Sequence, residues 1–170
     1  MTFNLNYLNG LTQEQARAAL FHCCGSTVFA DTVNAGRPFS DEGALKAAVE
    51  LGFTRMQRAD WLEAFTHHPQ IGDVDSIRKK FAATAHLASN EQSGVAGASE
   101  QVFQDLAVYN RKYLDKFGFI FIICATGKSA DFMLQELKRR YDNQAETELH
   151  NAAGEQKKIT WLRLAKAGAA

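Results

Sequence analysis

The chain has 170 residues, 46% of them apolar and 22% charged, with only two prolines and 19 basic against 19 acidic side chains. That profile fits one compact globule with a sizeable core and excludes a disordered or fibrous chain. A formal net charge of zero removes any whole-chain electrostatic reason to bind nucleic acid or an anionic membrane.

In chain order, most segments carry helix signals. Thr12 followed by Gln15 is a capping-box pattern opening QEQARAALFHCC, and Gly25 stands where that helix should stop. Ser26 to Val33 reads as a short helix closed by the turn-like NAGRP. Ser40 is the expected cap of DEGALKAAVELGF, with Leu45, Ala48, Val49 and Phe53 at helical spacing. Ala59 to Phe65 follows, with Trp61, Leu62 and Phe65 on its apolar face, and Pro69 is expected to end it. Ser76 to Leu87 reads as helix with Ile77, Phe81 and Ala85 aligned, whereas Glu91 to Ala98 is interrupted by glycine. Ser99 opens a longer helix through Lys116, with Val102, Phe103, Leu106, Tyr109, Tyr113 and Phe117 as its buried stripe and Gly118 as its stop.

Phe119 to Ala125, FIFIICA, breaks the pattern. By itself the run would be a buried strand, yet no second strand exists for it to pair with. Ser129 then caps ADFMLQELKRRYDN, and a last helix covers about 146–166. The expected architecture is a single all-α domain over residues 1–170, a helical bundle with one short extended apolar segment at about 119–125.

Cys23 and Cys24 are adjacent and Cys124 is remote, so the three cannot all pair and no CxxC spacing offers a zinc or redox site. The start MTFNLNYLNG has neither a basic leader nor a long apolar run, and the longest apolar run is too short to span a bilayer. A cytoplasmic location with no membrane partner is expected. His67, His68 and His86 do not form a metal-ligand spacing, and no phosphate loop or nucleophile elbow is present, so no metal and no cofactor are expected.

Four places could carry chemistry. Thr66-His67-His68-Pro69-Gln70-Ile71-Gly72-Asp73 puts two histidines, which titrate near neutral pH, on a tight exit from a helix. The same pair would serve equally as cationic caps of the helix C-terminus. Glu91 and Gln92 could hold an amide-like ligand, or simply begin a solvated helix. The main chain of the FIFII run needs hydrogen-bond partners, which a neighbouring segment or a polar ring-shaped ligand could supply. Arg163 could clamp an anion, or lie at the surface with its stem packed on the core.

The ordered set resembles the 2-oxo-4-hydroxy-4-carboxy-5-ureidoimidazoline (OHCU) decarboxylases. It runs from His68-Pro69 with Gly72, through Glu91-Gln92, Tyr113 and Phe117-Gly118-Phe119, to Leu137 with Arg139 and Arg140, and Ile159 with Arg163-Leu164. The resemblance implies an all-helical, homodimeric, cofactor-free enzyme that turns OHCU into (S)-allantoin at the end of urate breakdown. It implies His68 as the catalytic proton donor, with Glu91 and Arg163 also catalytic. Pro69, Ala88, Gln92 and the stretch Phe119, Ile120, Phe121, Ile122 and Ile123 are implied as substrate contacts, and His67 as structural. Ala88 stands where the family commonly has serine, and Ile120 where it often has proline. The competing expectations are a non-enzymatic helical interaction module, and a decarboxylase or hydrolase acting on another ureido ring.

Overall fold

The structure, a computed structural model, describes residues 1–69, 74–85 and 100–168, the side chains of 80–85 excepted. Those residues form α1 (Leu5–Gly10), α2 (Gln13–Cys24), α3 (Thr27–Ala35), α4 (Glu42–Arg55), α5 (Arg58–Thr66), α6 (Val74–Ala85), α7 (Glu100–Phe117), α8 (Ala130–Tyr141) and α9 (Ala145–Lys166). Among the described residues there is no strand, and the all-α class holds.

The chain clusters into two compact units, Met1–His68 with Ala153–Ala170, and Pro69–Ala152. In the first, α2 packs on α3 and α3 on α4. Gly52 of α4 permits the second contact, since a Cβ there would lie 3.0 Å from both the Phe29 ring and a Val33 methyl. Phe29, Phe53, Trp61 and Trp161 form an aromatic cluster with Phe53 at its centre, 5.0 Å from Phe29 and 6.1 Å from Trp61 between centroids. In the second unit, α7 packs on α6 and on α8. Tyr113 of α7 is fully buried and meets Phe117, Phe119 and Phe121 at 4.6, 5.9 and 5.3 Å.

Local chemistry sets the helix ends. The Thr12 hydroxyl accepts from the Gln15 amide while the Gln15 side chain accepts from the Thr12 amide, closing the capping box. Gly25 ends α2 in the left-handed region at φ +84°. Asp41, not Ser40, caps α4: its carboxylate accepts from the Ala44 amide at 2.8 Å, and the Ser40 hydroxyl supports it by donating to Asp41. A carboxylate at a helix N-terminus gains from the dipole as well as from the hydrogen bond. Ser129 caps α8 as expected. The short α1, capped by the Asn4 side chain, spans six residues, too few to give a readable apolar period.

Helix α5 stops at Thr66, three residues before Pro69. The Thr66 hydroxyl donates to the Glu63 carbonyl, and the His67 and His68 amides donate to the carbonyls of Ala64 and Phe65, tightening the last turn. Pro69 therefore restricts the backbone of His68 rather than ending the helix.

Candidate functional site

Gly25 brings the ends of α2 and α5 together. A Cβ on it would stand 2.9 Å from His67 Cβ and 3.1 Å from the Ala64 carbonyl. The open carbonyls of the last turn of α2 become acceptors for α9. Gln156 of α9, fully buried, donates Nε2–H to the Cys24 carbonyl at 3.0 Å. Arg163 of the same helix directs Nη1 at the carbonyls of His22 and Cys23, 3.4 and 3.3 Å away. A guanidinium there also compensates the negative end of the α2 dipole.

His68 is half-buried, and its Nε2 lies 2.6 Å from Gln156 Oε1. Both His68 and Arg163 are thus tied to the C-terminus of α2, one through Gln156 and one directly. His67 is exposed and sets its ring edge-on to Phe21, with centroids 4.8 Å apart. An open cavity of about 470 Å³ is lined by Arg17, Ala18, Phe21, His22, His67 and Arg163. His67 shares that wall with Arg163; His68 does not.

Cys23 and Cys24, whose carbonyls serve this arrangement, have buried thiols. Burial pushes them up to about 11 and about 12, with Arg163 opposing the rise in both. They stay protonated near neutral pH and are poor nucleophiles.

In the second unit, the FIFIICA run is neither helix nor strand. The Ile122 carbonyl accepts from Arg140 Nη1 at 2.9 Å. Arg140 is buried, stacks 4.6 Å over the Phe121 ring, and donates from Nε and Nη2 to Glu148 Oε1. The Tyr113 hydroxyl donates to the same oxygen, and Asn143 and Asn151 donate to Oε2. Burial alone would raise the Glu148 carboxyl, but the hydrogen bonds from Arg140, Tyr113 and Asn143 outweigh it and hold it below its ordinary value. A carboxylate fully removed from solvent is tolerated here because its charge is matched and its lone pairs are used.

Of the residues singled out in the sequence, His68 and Arg163 are brought to one helix end. Pro69 is exposed; Phe119 and Ile122 are buried, and Ile120, Phe121 and Ile123 half-buried. Ala88, Glu91, Gln92 and the helix signals at 91–98 lie outside the described residues. Sequence reasoning missed Gln156, Arg140 as a buried partner, and Glu148. The signal for Gln156 was its place on α9: Ala152, Gln156, Thr160 and Leu164 recur every four residues and are all buried. Two polar groups stand in the middle of an otherwise apolar stripe.

A solved structure described as the crystal structure of OHCU decarboxylase in the presence of (S)-allantoin matches with 39% identity and a TM-score of 0.69, covering 92% of this chain and 97% of that one. The Arabidopsis thaliana "Uric acid degradation bifunctional protein TTL" is 44% identical over 85% of this chain, which spans 44% of that protein's length. The 2-oxo-4-hydroxy-4-carboxy-5-ureidoimidazoline decarboxylase of Haloferax volcanii is 28% identical over 81% of this chain and 79% of its own. These likenesses place an all-helical chain among the carboxy-lyases. The chain belongs to the OHCU decarboxylase family, whose model matches residues 9–165. Among the described residues, no helix is long and apolar enough to cross a membrane.

Proposed function

We propose that the chain, acting as a single domain over residues 1–170, decarboxylates OHCU to (S)-allantoin, with His68 as the donor of the proton that sets the stereocentre. The observation that carries this reading is the hydrogen bond from the half-buried His68 ring to a fully buried amide. A surface cap of a helix terminus would need no such partner. OHCU has a carboxylate and a hydroxyl beside a ring C=N. As the C–COO⁻ bond breaks, its electron pair forms a C=C bond, and the C=N pair moves to nitrogen, which takes up a proton. The new enol then becomes a carbonyl, releasing its hydroxyl proton, while the neighbouring carbon is protonated on one face. The balance is CO₂ lost and one proton gained. The substrate is its own electron sink, so the reaction needs no cofactor and no metal. Orientation and a proton are left to the protein, and a positioned acid typically contributes ~10²–10⁴-fold.

In this reading Arg163 holds an anionic or carbonyl oxygen, Glu91 orients the acid or grips ureido N–H groups, and Gln92 reads an amide edge. Pro69, Ala88 and the main chain of Phe119, Ile120, Phe121, Ile122 and Ile123 are substrate contacts. Of those main-chain groups, the Ile122 carbonyl already has one lone pair committed to Arg140. The enzyme is expected to be a cytoplasmic homodimer.

The purified protein should turn freshly generated OHCU into one allantoin enantiomer without added metal. Racemic product at the uncatalysed rate would overturn the proposal. One observation favours a second reading of the acid: His67, not His68, lines the cavity beside Arg163. His68→Asn should lower turnover by ~10²–10⁴-fold while the protein stays folded, and His67→Asn by little. The reverse order would transfer the role to His67.

A further inference from the structure

We propose that Gln156 is a positioning residue that fixes the tautomer of His68 as Nε2–H, so that Nδ1 is the ring atom that gains and loses the catalytic proton. This rests on the reading of His68 as the acid, and it extends that reading to a residue with no part in the sequence pattern.

The amide of Gln156 cannot be turned around. The Cys24 carbonyl, 3.0 Å from Nε2, only accepts. The Thr160 hydroxyl donates its single proton to the Gln156 carbonyl of the main chain at 2.9 Å, which leaves its oxygen as an acceptor 3.4 Å from Nε2. Both neighbours therefore require the NH₂ end. A flipped amide would set its oxygen against the Cys24 carbonyl, leaving two buried acceptors face to face. Oε1 is consequently what meets His68, and an acceptor 2.6 Å away demands a proton on Nε2 in the neutral and the charged ring alike. When imidazolium gives up a proton, the Nε2 proton stays on Nε2, donated to Gln156 Oε1, and the Nδ1 proton is the one that leaves. The electron pair of the broken N–H bond remains on Nδ1 until a proton is regained. Burial of Gln156 makes the arrangement rigid, because exchanging either partner for water would require opening the contact between α2 and α9.

The arrangement is tested first without substitution. Nitrogen-15 spectra of the histidine rings of the full-length protein, His68 assigned by loss of its signals in His68→Asn, should show protonated Nε2 and unprotonated Nδ1 at alkaline pH. An Nδ1–H tautomer would overturn the proposal. Gln156→Met keeps the volume but removes the acceptor, and should mix the two tautomers and lower kcat by at least ~10-fold with KM nearly unchanged, within the share a general acid supplies. Gln156→Glu keeps an acceptor toward His68, while its second oxygen, facing the Cys24 carbonyl, must carry a proton to donate there. This neutral acid should recover the Nε2–H signature and most of the turnover lost in Gln156→Met. A Met variant that keeps a pure Nε2–H ring, or a Glu variant that recovers neither the Nε2–H signature nor turnover, would reduce Gln156 to a packing residue. Full turnover in His68→Asn would instead remove the acid reading itself, whatever the spectra show, so the two failures are distinguishable.

Discussion

Glu148 has no exposed surface, and its Oε1 receives donors from both Arg140 and Tyr113. Removing the negative charge while leaving Arg140 buried should be far more damaging than losing an exposed pair such as Arg17–Asp31. Glu148→Gln is expected to lower unfolding free energy by ~3–5 kcal/mol, the range for breaking one side of a buried pair. The same carboxylate makes stability depend on pH. Its folded value lies below its ordinary one, so its contribution is complete above the ordinary carboxylate range, ~4–5. It is lost as pH falls through the folded value, because the unfolded chain binds the proton first. Urea titrations should show wild-type stability falling below about pH 5, with a shallower decline in Glu148→Gln. Equal slopes would mean that the exposed carboxylates account for the acid response. None of this was legible in sequence, where Glu148 reads as a routine acidic residue in the first turn of a helix. Its partners lie 8 and 35 positions away, and only folding makes them neighbours.

At the scale of elements, residues that fix helix ends by their own local chemistry were legible. Thr12 with Gln15, Gly25 and Ser129 act within three or four positions of themselves, so spacing contains the whole interaction. Asp41 displaced Ser40 as the α4 cap because both residues can cap and the charged one gains more from the dipole. Among the described residues the FIFIICA run pairs with no strand, as expected, and its Ile122 carbonyl accepts from the Arg140 side chain on α8, a contact that no periodicity encodes. Gly25 joins the two kinds of information. Its left-handed φ is legible as a helix stop, whereas its closeness to Ala64 and His67 is not. Gly25→Ala should be destabilising through both, by about 1–3 kcal/mol from backbone conformation before any clash. Because the last turn of α2 also holds Gln156 and Arg163, turnover should fall further than the midpoint alone explains. A variant with lowered midpoint but wild-type turnover at a permissive temperature would separate the helix junction from the site.

For the whole molecule, nineteen charges of each sign leave recognition of a small anionic substrate to individually placed groups rather than to a general field. Product binding offers a test that does not depend on the unstable substrate. A ligand that binds only the folded state stabilises it by ~2.7 kcal/mol at one hundred times its dissociation constant. For a chain of this length that corresponds to a rise in unfolding midpoint of about 5–10 °C. (S)-Allantoin should produce such a rise and its enantiomer a smaller one, since the proposed contacts are fixed in space. The variants sharpen the comparison. His68→Asn removes the acid but few of the product contacts, so the shift should persist in it. Arg163→Leu removes a binding cation and should abolish most of the shift, although its loss also uncovers the carbonyls of His22 and Cys23. That second effect lowers the midpoint without ligand, so the quantity to compare is the ligand-induced rise in each variant, not the midpoint itself. No rise in the wild-type protein at saturating (S)-allantoin would favour a helical module whose aromatic clusters serve packing alone. Equal rises for both enantiomers would point to a binding site without the geometry that stereospecific protonation requires.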